Sequence, residues 1–139
     1  MSNALYDNAR ARYLIGVSSW MTENIKAILV DTTVYSVNLS AHQTIGDVGT
    51  VGSSPCFITG AVALTNKAAV AGAASAANVT FSAVTGNTAD AIILFNDTGT
   101  VSTSYLIAYI DTGTGLPITP NGGDIIVTWD TGVNKVFKL

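Results

Sequence analysis

Three Asp-Thr-Gly tripeptides are the first residues in this sequence whose type and spacing suggest chemistry: Asp97-Thr98-Gly99, Asp111-Thr112-Gly113 and Asp130-Thr131-Gly132. The same tripeptide marks the active site of aspartic proteases, where two carboxylates share one proton and activate a water molecule. A retropepsin-like dimer takes one such aspartate from each short chain, and Asp111, which ends the apolar run Tyr105 to Ile110, is the best placed of the three. The competing explanation is local. Aspartate accepts hydrogen bonds from the backbone that follows it and glycine supplies the positive φ of a tight turn, so the tripeptide also ends strands. Repetition favours turns, because a single-lobe protease needs the tripeptide once. The apolar-apolar-Gly-Arg element that follows in retropepsins is also missing, its nearest match, Val84-Thr85-Gly86-Asn87, being polar and preceding Asp111.

Thiol and metal chemistry have little to draw on. Cys56 is the only cysteine and His42 the only histidine, so neither an intrachain disulfide nor a thiolate metal cage can form. Cys56 enters an apolar stretch with no basic neighbour to lower its pKa, and is expected as a small buried hydrophobe rather than a nucleophile paired with His42. Glu23 is the only glutamate, and no run of Asp and Asn has the dense spacing of a calcium loop. We therefore expect a non-enzyme with no cofactor, no catalytic residue and no metal ligand.

The elements that must position these residues come next. A chain of 139 residues is one domain's worth. Only 11% of residues are charged, against about a quarter in ordinary domains. Six basic and nine acidic side chains leave a charge of −3, which lacks the basic patch that nucleic acid requires. With 48% hydrophobic residues the chain is not of a disordered composition. No apolar run approaches the roughly 20 residues of a bilayer span, and the first residues do not form a charged start with an apolar core. Neither a nucleic acid nor a membrane is expected as a partner.

Tyr6, Ala9, Tyr13, Val17 and Trp20 recur at three- and four-residue spacing, which predicts a helix from about residue 3 to residue 15. Ser2 or Asn3 would cap it, Gly16 would stop it, and Trp20 would lie in the loop beyond. The β domain is expected over about 25–139. Ile25 to Val30, Ala91 to Phe95 and Tyr105 to Ile110 read as strands buried on both faces, and Tyr35 to Leu39 as a half-buried strand. Phe57 to Leu64 reads as a strand with a bulge at Gly60, and Val79 to Val84 alternates. Asp124 to Trp129 and Val133 to Leu139 are expected to close the fold as a pair joined by Asp130-Thr131-Gly132. Ala68 to Ala77, with seven alanines and Gly72 in its midst, suits a short helix and a small-residue strand equally. The fold class is thus mainly β: a single-domain antiparallel β-sandwich or barrel with an N-terminal α-helix.

Four stretches carry a family resemblance: Ala4-Leu5-Tyr6-Asp7-Asn8-Ala9-Arg10, Ile25 to Asp31, Leu106 to Asp124, and Asn134-Lys135-Val136-Phe137-Lys138-Leu139. Together they resemble a group of small virion structural proteins of tailed bacteriophages, of the capsid decoration (cement) type. The resemblance implies a protein made in the host cytoplasm that binds the major capsid protein on the capsid exterior as a homo-oligomer. A tail, neck or fibre component is the alternative within that class. Arg10, Arg12, Tyr13 and Trp20 are the candidate partner contacts: two of the six cations beside the aromatic face of the helix. The favoured alternative is that the aromatics pin the helix to the sheet, and Arg10 and Arg12 could equally be solvated.

Overall fold

The computed structural model describes residues 4–49, 54–112, 116–133 and 135–139. Among these residues the protein is mainly β, with antiparallel sheets and one α-helix near the N-terminus. Its centre is a five-stranded sheet in the order β1-β8-β7-β2-β3. These strands are β1 (Ala4–Leu5), β2 (Ile25–Val30), β3 (Val62–Ala63), β7 (Ala91–Asn96) and β8 (Leu106–Ile110). A second sheet joins β4 (Ala68–Val70), β5 (Ala73–Ser75) and β10 (Phe137–Lys138), and β6 (Val79–Phe81) pairs with β9 (Ile125–Val127).

The three central strands are apolar apart from Lys26 and Asn96 because both faces of the sheet are covered. Ile25, Ala27, Leu29, Ile92, Leu94 and Ile110 point to one face, where the two smaller sheets pack through Ala74, Val79, Phe81, Ile125, Val127 and Val136. Ile28, Val30, Ile93, Phe95, Leu106 and Tyr109 point to the other, under Tyr6, Ala9, Tyr35, Ile45 and Cys56. β2 and β7 run in unbroken register from Ile25↔Asn96 to Val30↔Ala91. The β7–β8 ladder slips once, Leu94 facing Ala108 but Phe95 facing Leu106. Ile107 is the extra residue, and this bulge returns Leu106 to the helix-covered face.

The helix α1 spans Asp7–Leu14, shorter than the spacing predicts. Ala4 and Leu5 pair with Tyr109 and Ala108 instead, and the Tyr6 N–H donates to Ile107 O, so the ladder claims the backbone that a longer helix would need. The predicted caps Ser2 and Asn3 lie outside the described residues. At the other end Gly16 stops the helix as expected: φ is +79°, and the N–H groups of Gly16 and Val17 donate to Tyr13 O and Arg12 O. That pair of bonds is a Schellman cap, which needs the left-handed residue.

Some expectations are corrected, and the alternative left open for the alanine-rich segment is decided in favour of strands. Tyr35 to Leu39 alternates as a strand does but joins no ladder; Tyr35 is buried and Val37 and Leu39 pack against the core, so the inward face is satisfied without a neighbouring strand. Asp124–Trp129 and Val133–Leu139 are not a hairpin: β9 pairs with β6, and β10 with β5 across the molecule. The alanine-rich segment is a hairpin, with Val70 opposite Ala73 and a two-residue loop of Ala71 and Gly72 at φ +53° and +79°. Positive φ at both loop residues is the type I′ geometry that matches strand twist. Phe57 to Leu64 is not a continuous strand with a bulge: Phe57 makes an isolated bridge to Val30, only Val62–Ala63 form β3, and between them Thr59 Oγ1 accepts the Leu29 N–H.

Candidate functional site

The candidate contacts divide sharply by environment. Trp20 is buried; its Nε1–H donates to Ser75 O at 3.2 Å and its ring meets Phe137 edge to face at 5.2 Å. Tyr13 is half-buried and packs against the same Phe137 at 6.3 Å. These two aromatics clamp α1 and its following loop onto β5 and β10. Arg12 is also held in place: its guanidinium lies 3.8 Å from the centre of the Tyr105 ring, and its Nε–H donates to Ser18 Oγ at 3.1 Å. A stacked, hydrogen-bonded guanidinium has lost most of its freedom to meet a partner. Arg10 alone is exposed.

Arg10 stands at the mouth of a cleft of about 330 Å³ between β1 of the central sheet and β10 of the second sheet. Lys135 and Lys138 line the same cleft, with Asp130 as its one carboxylate and Leu5, Ile110 and Val136 among its apolar walls. Three of the chain's six cations therefore converge there. The sequence hides this grouping, because 125 positions separate Arg10 from Lys135 and only the pairing of β10 with β5 brings them together. The nearest signal is the spacing of Lys135 and Lys138 at the chain's end.

The Asp-Thr-Gly aspartates serve turns where their surroundings are described. Asp97 Oδ1 accepts the Gly99 N–H at 2.9 Å and Oδ2 pairs with Lys26 Nζ at 2.6 Å. The Lys26 contact, helped by that backbone bond, holds the Asp97 carboxyl below the usual carboxylate range. Asp130 Oδ1 likewise accepts the Gly132 N–H at 2.9 Å. Asp111 follows β8, and its glycine, Gly113, lies outside the described residues. Cys56 is buried with its thiol directed at Val48 O, and burial pushes its pKa up, away from thiolate chemistry. Among the described residues no group of three His, Cys, Asp or Glu side chains is placed to hold a metal ion.

His42 pairs not with Cys56 but with a tyrosine relay that the sequence does not reveal. The Tyr6 and Tyr35 hydroxyls are 2.9 Å apart, and Tyr35 Oη lies 2.8 Å from His42 Nδ1. The Asn38 backbone N–H also points at Nδ1, at 3.3 Å. Since that N–H can only donate, Nδ1 is the accepting nitrogen. The relay then runs in one direction, Tyr6 O–H to Tyr35 Oη and Tyr35 O–H to His42 Nδ1. Burial pushes the Tyr6 hydroxyl far above the ordinary tyrosine range and Tyr35 up to about 12. Protons are thus fixed on both phenols, and the relay works as a structural tie between β1's end and the loop over the sheet.

No protein-family model matches the chain, and no curated protein matches it either.

Proposed function

We propose that this chain is a non-enzymatic structural protein of a tailed-phage virion, binding the major capsid protein on the capsid exterior as a homo-oligomeric decoration. The observation that carries this reading is an apolar strip at the end of α1. Leu14, Ile15, Val17 and Met21 are 86, 72, 53 and 52% exposed, within eight consecutive residues. Single exposed hydrophobes are ordinary, but four large ones within eight residues, at the end of α1 and in the loop after it, mark a surface meant to be covered. The segment is anchored, because Tyr13 and Trp20 pack into the core on either side of Leu14 to Val17. A rigid apolar strip contributes roughly 25 cal/mol for each Å² it buries against a neighbour without the ordering cost of a floppy one. The low charge suits close packing of many copies, since like-charged copies would repel. The resemblance of four stretches to decoration proteins supports the same conclusion.

The test uses expanded capsids lacking the protein. Purified protein should co-sediment with them in hundreds of copies per particle and restore heat stability, and Ile15→Asp should abolish both while leaving its own unfolding transition unchanged. Absence of binding, with virions lacking the protein keeping their heat stability, would overturn the proposal. A copy number of a handful per virion would place the protein in the tail, neck or fibre instead.

A further inference from the structure

The cleft between β1 and β10 is lined by none of the residues of the apolar strip, and its chemistry points to a different ligand. Both of its walls are strand edges, and the ladder pattern says which backbone groups they offer. Ala4 and Leu5 face Tyr109 and Ala108, and the Tyr6 N–H donates to Ile107 O at 3.0 Å. In an antiparallel ladder, residues alternate between bonding inward and pointing away. Tyr6 and Ala4 bond to β8, so the N–H and C=O of Leu5 point away from it. On the opposite wall the Leu139 N–H donates to Gly72 O at 3.0 Å, in register with Phe137↔Ala74 and Lys138↔Ala73. By the same alternation the N–H and C=O of Lys138 point away from β5. Leu5 and Lys138 both line the cleft. Over these edges stand Arg10, Lys135 and Lys138 against Asp130 alone, a local charge of +2 from three cations and one carboxylate, in a chain whose net charge is −3.

We propose that this cleft binds an extended, acidic segment of another polypeptide, adding it as a strand along the β1 and β10 edges with its carboxylates on Arg10, Lys135 and Lys138. Open edges give main-chain affinity, and the flanking cations give the choice of side chain. A second copy of the chain does not fit, because none of its described strands carries an Asp or Glu. This assignment stands on the cleft and holds wherever in a particle the protein sits.

The probe is a fluorescein-labelled peptide of roughly ten residues, long enough for an ordinary strand, alternating Val and Thr with three Asp. Its controls carry Asn for Asp, or Pro at alternate positions to remove N–H donors. In fluorescence anisotropy the Asp peptide should bind saturably and weaken with salt, and the Asn and Pro peptides should each bind at least about tenfold more weakly. Arg10→Ala and Lys138→Ala remove exposed side chains and should each weaken the Asp peptide several-fold, with circular dichroism and melting unchanged. Hydrogen exchange at the Leu5 and Lys138 amides should slow at saturation. Equal binding of the Asp and Asn peptides, absence of saturable binding at millimolar concentration, or binding without slowed exchange at those two amides would overturn the proposal. Self-association without peptide, lost in both variants, would put a second copy in the cleft and overturn it equally.

Discussion

Tyr35→Phe should destabilise the protein more than Tyr6→Phe, although Tyr6 is the more deeply buried of the two. The reason lies in the direction of the relay. The Tyr6 hydroxyl has Tyr35 as its partner, whereas the Tyr35 hydroxyl has both Tyr6 and His42. Removing the Tyr6 hydroxyl deletes one neutral hydrogen bond and leaves Tyr35 still donating to His42 Nδ1, a loss of about 1 kcal/mol. Removing the Tyr35 hydroxyl instead strands the Tyr6 O–H in a fully buried position with no acceptor, at about 2–3 kcal/mol once its desolvation is counted. The double variant has no stranded hydroxyl, so it should fall short of the sum of the singles by about 1 kcal/mol, beyond the roughly 0.5 kcal/mol scatter of independent sites. Urea unfolding, followed by the fluorescence of the two tryptophans, measures all four proteins. Equal single losses, a larger loss for Tyr6→Phe, or strict additivity would show that the relay does not run outward from the core.

Three further outcomes follow from the same structure. Burial raises the folded pKa of Tyr6, Tyr13 and Tyr35, the last to about 12. An unfolded tyrosine loses its proton near 10, so the stability these groups confer is complete below about pH 10 and falls as pH rises towards 12, by about 1.4 kcal/mol per pH unit for each tyrosine. Alkaline titration of the urea midpoint should show this decline, shallower in Tyr6→Phe. Ala71 holds φ +53° in the exposed type I′ loop, a conformation Asn tolerates better, so Ala71→Asn should raise stability by about 0.5–1 kcal/mol in thermal unfolding. Trp20→Ala removes the edge-to-face contact with Phe137 and the bond to Ser75 O, and should cost about 3–5 kcal/mol and speed hydrogen exchange in α1 and β5 together.

The parts of the fold that are legible in the sequence are those whose signal is local. Ile25 to Val30 and Ala91 to Phe95 announce doubly buried strands because short apolar runs, broken only by Lys26, suit a sheet covered on both faces, and both appear within a residue of their expected limits. Gly16 is legible as a helix stop because a left-handed cap has one natural occupant. What fails is pairing. Nothing in Asp130-Thr131-Gly132 distinguishes a hairpin loop from a turn that sends the chain to another sheet. A helix period running back to residue 3 says nothing of β8, whose free edge takes Ala4 and Leu5. Tyr35 to Leu39 shows that period-two alternation reports a buried side and not a neighbouring strand. The site suffers most from this. Arg12, Tyr13 and Trp20 are conspicuous in sequence because they are large, and they are large because they fill the joint between α1 and the sheets. Lys135 and Lys138 are inconspicuous until β10 is docked.

Scarcity of charge also takes on a more specific meaning once the strands are in place. A sheet covered on both faces needs few charged residues, since its faces are kept from water, and among the described residues its strands are short, none longer than six residues, and are joined by segments rich in Thr, Asn and Gly. Charge is then left for places where a backbone edge is open or a turn needs an acceptor. Asp31 illustrates the second: it is buried at the end of β2, accepts from the Thr33 N–H and hydroxyl and from Asn87 Nδ2, and those bonds hold its carboxyl below the usual range. Lys67 illustrates a cation withdrawn from the surface, its ammonium folded onto Glu23 O beside the β4 edge. The cations around β10 are bound in no such way except for Lys135, which reaches Thr131 O. An edge lined by cations resists pairing with copies of itself, because like charges would meet across the two-fold. The same cations admit a strand of opposite sign. The feature that guards this edge against aggregation is therefore the one that selects its partner.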